Sequence, residues 1–294
     1  MSTPSVLYDA PGPRARRRAA IGGGIATFVG LILIGLVAKR LADQGQFSGE
    51  LWGPVLDPSN ESFPLVWNLL GKGVLATLTA AVLAIVFSLL IGSAVGVARM
   101  MLGRNARMPL VALIELLRGL PVVITIYFAS RVLPELGVDL SGLPGEAGLW
   151  FLVLGLTAYN CVIIAEILRA GVASLPKGQR EAALAIGLTP WATMRLVLLP
   201  QATRVMLPAL ISQLVVILKD TSLAAVLALY TELLRQGNLI ALNLHNPIQI
   251  LFVVAVIFIL INYSLSRLAT WVDQRSVRRT QPPKNVEPVP AEVG

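Results

Sequence analysis

The fold class this sequence predicts is all-α: a polytopic helical membrane protein with six transmembrane helices. Three observations predict it. Hydrophobic residues make up 55% of the chain and charged ones only 14%. Several apolar stretches reach or pass the roughly 20 residues that a spanning helix needs. The basic residues gather in alternate connections between those stretches, so the net charge of +8 reads as a topology signal. No nucleic-acid partner is expected, because the cations do not share one amphipathic surface.

Six windows satisfy the length and polarity of a span: 20–38, 68–98, 108–130, 147–169, 204–231 and 248–268. Residues 1–19 form a basic tail in which Arg14, Arg16, Arg17 and Arg18 precede the first span. A signal peptide has similar features, but the apolar run is long for one and AKRLADQ offers no small-x-small cleavage site, so a retained N-terminal helix over 20–38 is expected. Residues 39–65 read as an external loop able to carry a short interfacial helix. The main transmembrane domain is expected over 66–268, with a long cytoplasmic connection at 171–203 and a C-terminal tail over 269–294. Arg99, Arg104 and Arg107 follow the second span, and Lys177, Arg180, Arg195 and Arg204 lie in the later connection. With Arg275, Arg278, Arg279 and Lys284 in the tail, they place both termini on the cytoplasmic side of the cell membrane. Proline-rich, polar sequence at the two ends predicts disorder there.

Several chemistries are set aside by composition. Cys161 is the one cysteine and His245 the one histidine, so an internal disulfide, a thiolate cluster and a zinc site are not expected. No Gly-x-x-x-x-Gly-Lys-Ser/Thr run occurs; any ATP must be bound by another chain. No constellation for an intramembrane enzyme stands out.

The stretch EAALAIGLTPWATMRLVLLP, residues 181–200, is too patterned for a plain connection. Glu181 is expected in the first turn of a short helix, where the macrodipole favours an acid. Ala182 and Ala183 propagate that helix, and Gly187 can adopt the left-handed conformation that ends it. Thr189 and Pro190 supply an N-cap and a first-turn proline for a second helix, with Pro200 expected to stop it. The outcome is a compact helix-turn-helix whose small residues let a partner approach.

Glu181-Ala182-Ala183, Gly187 and the later Leu199-Pro200 resemble the EAA loop of ATP-binding-cassette (ABC) importer permeases. Arg118-Gly119-Leu120-Pro121, Ala165-Glu166, Arg169-Ala170-Gly171, Gln201-Ala202 and Lys219-Asp220-Thr221-Ser222-Leu223 extend the resemblance to the polar amino acid permeases of the histidine, glutamate, glutamine and arginine group. The likeness covers about residues 66–268 and implies a five-span core, here with one added N-terminal helix. It further implies that Glu181, Ala182, Ala183 and Gly187 couple the chain to ABC ATPase subunits, which bind ATP and magnesium. This chain then carries no cofactor or metal of its own and is not an enzyme. A second permease, identical or paralogous, and an extracytoplasmic solute-binding protein complete such an importer. The added span and tails lean toward glutamate uptake permeases of high-GC Gram-positive bacteria, with glutamine close behind.

The other function class to weigh is a proton- or sodium-coupled secondary amino acid carrier, which holds coupling residues unpaired near mid-membrane. Here Glu115 and Arg118, and again Glu166 and Arg169, are three apart on one helix face, where each pair neutralises itself. Lys219, Thr221 and Ser222 interrupt the fifth apolar run, where a centrally placed charge costs about 2.5–3.5 kcal/mol on insertion scales. They are either substrate-pathway residues at a helix break whose free amides favour a carboxylate, or a structural kink.

Overall fold

The computed structural model describes residues 12–278, and every regular element among them is helical. α1 (Pro13–Asp43) is an isolated rod with no buried residue. The tail expected over 1–19 is therefore helical from Pro13, because proline suits the first helical position and the Arg/Ala run behind it favours helix. Residues 1–11, and so the expected N-terminal disorder, lie outside the described residues.

The expected external loop is mostly structured. After α1 comes α2 (Gly49–Leu56), then α3 (Phe63–Met101). Val55 is 1% exposed and packs with Val66, Leu70 and Ile250. The side-chain amide of Gln249 donates to Gln46 O at 2.6 Å, and that of Asn246 donates to Leu51 O at 3.0 Å. Burying Val55 and pairing these amides fixes the segment to the bundle, so 46–65 belongs to the core body rather than to a free loop.

α6 (Ala147–Ala173) is the central helix, with two thirds of its most apolar window buried, 67%. Small residues let α3 lie directly on it: a Cβ added at Gly92 would stand 2.6 Å from Cys161 O and 2.9 Å from Ile164 Cβ. Between them the expected straight span 108–130 is broken into α4 (Arg104–Gly119) and α5 (Val122–Glu135), bent by 104°. Pro121 forces the residue before it out of the helical region, and Leu120 is extended at ψ 138°. The ends of α3 and α6 share one side of the bundle, so the α4–α5 pair makes one crossing to the start of α6.

α7 (Lys177–Ala185) and α8 (Pro190–Ala192) follow, and a π-helical turn (Thr193–Leu198) leads into α9 (Leu199–Asp220) without interruption. The expected stop at Pro200 is not there. The wider π turn just before it accommodates the missing amide and the ring that would clash in a regular helix. The fifth span, expected over 204–231, is helical only to Asp220, with a four-residue turn, α10 (Leu223–Val226), after it. The chain then reverses through Ala228 (φ 52°) into α11 (Leu233–Leu244). α12 (Pro247–Arg278) carries helix ten residues into the expected tail, since nothing between Leu268 and Arg278 breaks it; residues 279–294 lie outside the described residues.

Candidate functional site

The connection after α6 builds an elbow. α7 closes with a glycine cap: Gly187 has φ 88°, its amide bonds Leu184 O at 3.0 Å, and the Leu188 amide bonds Ala183 O at 3.1 Å. Two residues later the Thr189 hydroxyl accepts the Ala192 amide at 3.2 Å, with Pro190 at the first position of the return helix. Two caps in five residues make the reversal rigid. The side-chain amide of Gln201 donates to Gln179 Oε1 at 3.3 Å across its base.

The tip of the elbow is apolar and bare: Ile186 is 79% exposed and Trp191 54%. Neither was a candidate from sequence, because exposure of an apolar side chain is not written in its neighbours. Ala182 is exposed beside them, whereas Ala183 is 3% exposed, so it packs the elbow together rather than touching a docked protein. Glu181 is the fifth residue of α7, not in its first turn, because the helix already begins after Pro176. It lines a cavity of about 820 Å³ beneath the elbow.

A charge network ties that end of the bundle together. Arg118 donates to Glu115 at 3.2 Å, and Arg169 Nε donates to Glu166 Oε1 at 2.9 Å. Arg99, read from sequence only as a topology marker, donates its Nη1 to Glu166 Oε2 at 2.6 Å and stands 4.0 Å from Glu115. It therefore links α3 to α6 and α4. The 67-residue separation of Arg99 and Glu166 hides that contact from any local pattern.

The residues after α9 divide. Lys219 and Ser222 open onto a groove of about 650 Å³ walled by α12, which also contributes Asn262, whose buried carbonyl oxygen has no hydrogen-bond partner. Thr221 is fully buried and turned away, its hydroxyl donating to Leu218 O at 2.7 Å. The Ser222 hydroxyl likewise donates to Lys219 O at 2.8 Å. The expected free amides are absent at three positions: those of Ser222, Ala224 and Ala225 bond the carbonyls of Lys219, Thr221 and Ser222. Short-range bonding of this kind satisfies the backbone within the turn itself, so capping side chains are not required. Glu232, also not a sequence candidate, is buried and caps α11 by accepting the amides of Leu234 and Arg235 at 2.8 and 2.9 Å. Thr77 of α3 receives the Leu233 amide at 3.0 Å.

Known proteins resemble this chain in sequence and fold. The family model described as binding-protein-dependent transport system inner membrane component matches residues 88–278. The glutamate transport system permease protein GluD of Corynebacterium glutamicum is 38% identical over 246 residues, 84% of this chain and 86% of the relative. The glutamine transport system permease protein GlnP of Escherichia coli is 38% identical over 207 residues, 70% of this chain and 92% of its own. Among solved structures, an amino acid ABC transporter crystallised with histidines superposes with TM-score 0.65 at 26% identity, covering 73% of this chain and 97% of that one. An inward-facing MetNI methionine ABC transporter shares the fold, with TM-score 0.59 over 74% of this chain and 99% of its own, at 23% identity.

Proposed function

The chain belongs to the family of binding-protein-dependent transport system inner membrane components, and we propose that within it the chain forms half of the translocation pathway for glutamate, with glutamine the nearest alternative. It is a permease subunit of an ABC importer for polar amino acids, a membrane component rather than an enzyme by itself. The likenesses give no support to a proton- or sodium-driven secondary carrier.

One observation carries the coupling role: the doubly capped elbow presents Ile186 and Trp191, bare apolar side chains at the end of a rigid reversal. An apolar tip rimmed by polar residues is what a docking contact with another protein needs. In this reading an ATPase subunit, holding ATP and magnesium, receives the tip on the cytoplasmic side, where the N- and C-termini also lie. A second permease, a copy of this chain or a paralogue, closes the pathway, and a solute-binding protein delivers the amino acid from outside.

The choice of glutamate rests on the names of the relatives, and the groove fits an amino acid in general. Lys219 and Ser222 offer a cation and a hydroxyl there, and Asn262 offers an unpaired carbonyl. An amino acid brings a carboxylate to the cation and an ammonium to the hydroxyl oxygen. Reconstitution with the ATPase and binding protein, followed by uptake of labelled glutamate, glutamine, histidine and arginine, tests both parts. ATP-dependent uptake favouring glutamate is expected. Uptake driven by an ion gradient without ATP, or preference for a basic amino acid, would overturn the reading.

A further inference from the structure

The cavity beneath the elbow carries charge that the coupling role does not use. Its wall includes five cations, Arg99, Arg107, Arg169, Lys177 and Arg180, against one acid, Glu181. Glu166 satisfies Arg99 and Arg169. Among the described residues, Arg107, Lys177 and Arg180 have no carboxylate within ion-pair distance. They come from two different elements, α4 and α7, and converge on one space. Thr193, 2% exposed, stands on the same wall with a hydroxyl that has no hydrogen-bond partner. Between the cations the wall is apolar, with Met100, Met101, Val111 and Met194.

Convergent like charges repel, and an anion placed among them relieves the repulsion. The depth of the cavity says which anion. It lies where α3 and α6 end, which, with both helices taken as spans, is the level at which hydrocarbon gives way to headgroups. A phosphate ester with an apolar neighbour matches both kinds of wall, and basic pockets between helix ends on the cytoplasmic side suit anionic lipid headgroups.

We propose that this cavity binds the phosphate headgroup of an anionic phospholipid from the cytoplasmic leaflet, held by Arg107, Lys177 and Arg180. Bound there, the lipid braces α7 against α4 and so sets the resting position of the elbow. The site is separate from the tip that Ile186 and Trp191 form, and from the groove beside Lys219.

The test uses the full chain, reconstituted in nanodiscs of phosphatidylcholine with a minority of phosphatidylglycerol, then released into detergent for native mass spectrometry. Wild type is expected to retain phosphatidylglycerol in preference to phosphatidylcholine. Each of Arg107→Gln, Lys177→Gln and Arg180→Gln should weaken retention about fivefold, and the triple variant over a hundredfold. A second triple variant, Arg18→Gln, Arg104→Gln and Arg204→Gln, removes the same charge from the same side but outside the cavity; it should retain the lipid as wild type does. The single variants sit on exposed positions, so they keep the test sound if the triple folds poorly. Equal loss in both triples, or none in either, would overturn the proposal. So would site-dependent binding of inorganic phosphate without phosphatidylglycerol, which would make the ligand a soluble anion. Loss of ATPase binding by the cavity variants with lipid retention unchanged would assign the cations to the protein partner instead.

Discussion

Replacing Ile186 and Trp191 together by serine should detach the ATPase while leaving the permease folded. Burying an isoleucine fully is worth roughly 1.5–3 kcal/mol, and Ile186 has 79% of its surface still to bury. Docking it therefore contributes at most about 1–2 kcal/mol. Trp191 is 54% exposed; burying the remainder of an indole, on the order of 100 Å², adds about 2–3 kcal/mol at most. Association offsets part of that gain through ordering and desolvation. The expected net loss is about 2–4 kcal/mol per elbow, or roughly thirtyfold and upward in affinity. Ile186 projects into solvent, where substitutions stay within about 0.5 kcal/mol; Trp191 keeps nearly half of its surface on the chain, so truncating it also lowers permease stability by about 1–3 kcal/mol, which the melting midpoint reads. The assay is capture of the purified ATPase by immobilised permease, alongside the melting midpoint of each variant and ATP hydrolysis in nanodiscs. Wild-type capture by the double variant would remove the apolar tip as the docking contact.

Four further expectations follow from the same geometry. Glu181→Lys should reduce substrate-stimulated transport while the variant still assembles in the membrane; transport at the wild-type rate would dissociate this acid from coupling. In the groove, Lys219→Gln and Ser222→Ala should raise the apparent KM for uptake, whereas Thr221→Val, buried and bonded to Leu218, should cost about 0.5–1.5 kcal/mol of stability and leave KM alone; the reverse pattern would reassign the pathway. Gly92→Ala places a methyl 2.6 Å from Cys161 O, which demands a shift of several tenths of an ångström between α3 and α6; the melting midpoint should fall by the equivalent of about 1–3 kcal/mol, and an unchanged midpoint would mean the helices are not packed this closely. With Cys161 replaced, single cysteines at Ser59 and Asn105 should react with impermeant reagent from opposite sides of the membrane, and labelling of both from one side would break the proposed topology.

What could be read from the sequence was what depends on neighbours along the chain. The Gly187 reversal and the Thr189 cap follow from single residue types at fixed offsets, and the structure forms both. The i,i+3 spacing likewise brings Glu115 to Arg118 and Glu166 to Arg169. Composition and periodicity locate apolar helices, but they do not register a corner: residues 108–130 read as one run although Pro121 folds it through 104°. Nor do they register a helix that continues past a proline, since the π turn ahead of Pro200 is a tertiary adjustment. Arg99 and Asn262 could not be read as site residues, because each acquires its role from helices far away in sequence. Thr221 and Ser222 look equivalent as letters. Their 100° separation on a helical turn sends one into the core and the other to the groove.

The continuity of the chain through Pro200 matters for how a push at the elbow reaches that groove. From Pro190 to Asp220 the backbone is one helical rod, π turn included, of roughly 45 Å. Its one end is the elbow and its other end carries Lys219. α6, which enters the elbow through the short link 174–176, is held to α3 by Arg99 and Glu166. On the far side of the groove α11 is anchored to the same α3, through the Leu233 amide on Thr77 and the Thr77 hydroxyl donating to Glu232 Oε2 at 3.5 Å. Between the rod and that anchor lie residues 227–232, which form no helix and include Ala228 at φ 52°. The backbone there lacks the repeating hydrogen bonds of both neighbours, while Leu227, Leu229 and Tyr230 pack on the core formed by α3, α5 and α6. In the proposed coupling, displacement of the elbow along the rod changes the distance from Lys219 to the α11–α12 wall, and it also loads the contacts of the rod with α6, where Gln213 donates to Asn160 at 2.6 Å. On the proposed function, the width of the groove beside Lys219 is then the quantity that the elbow controls.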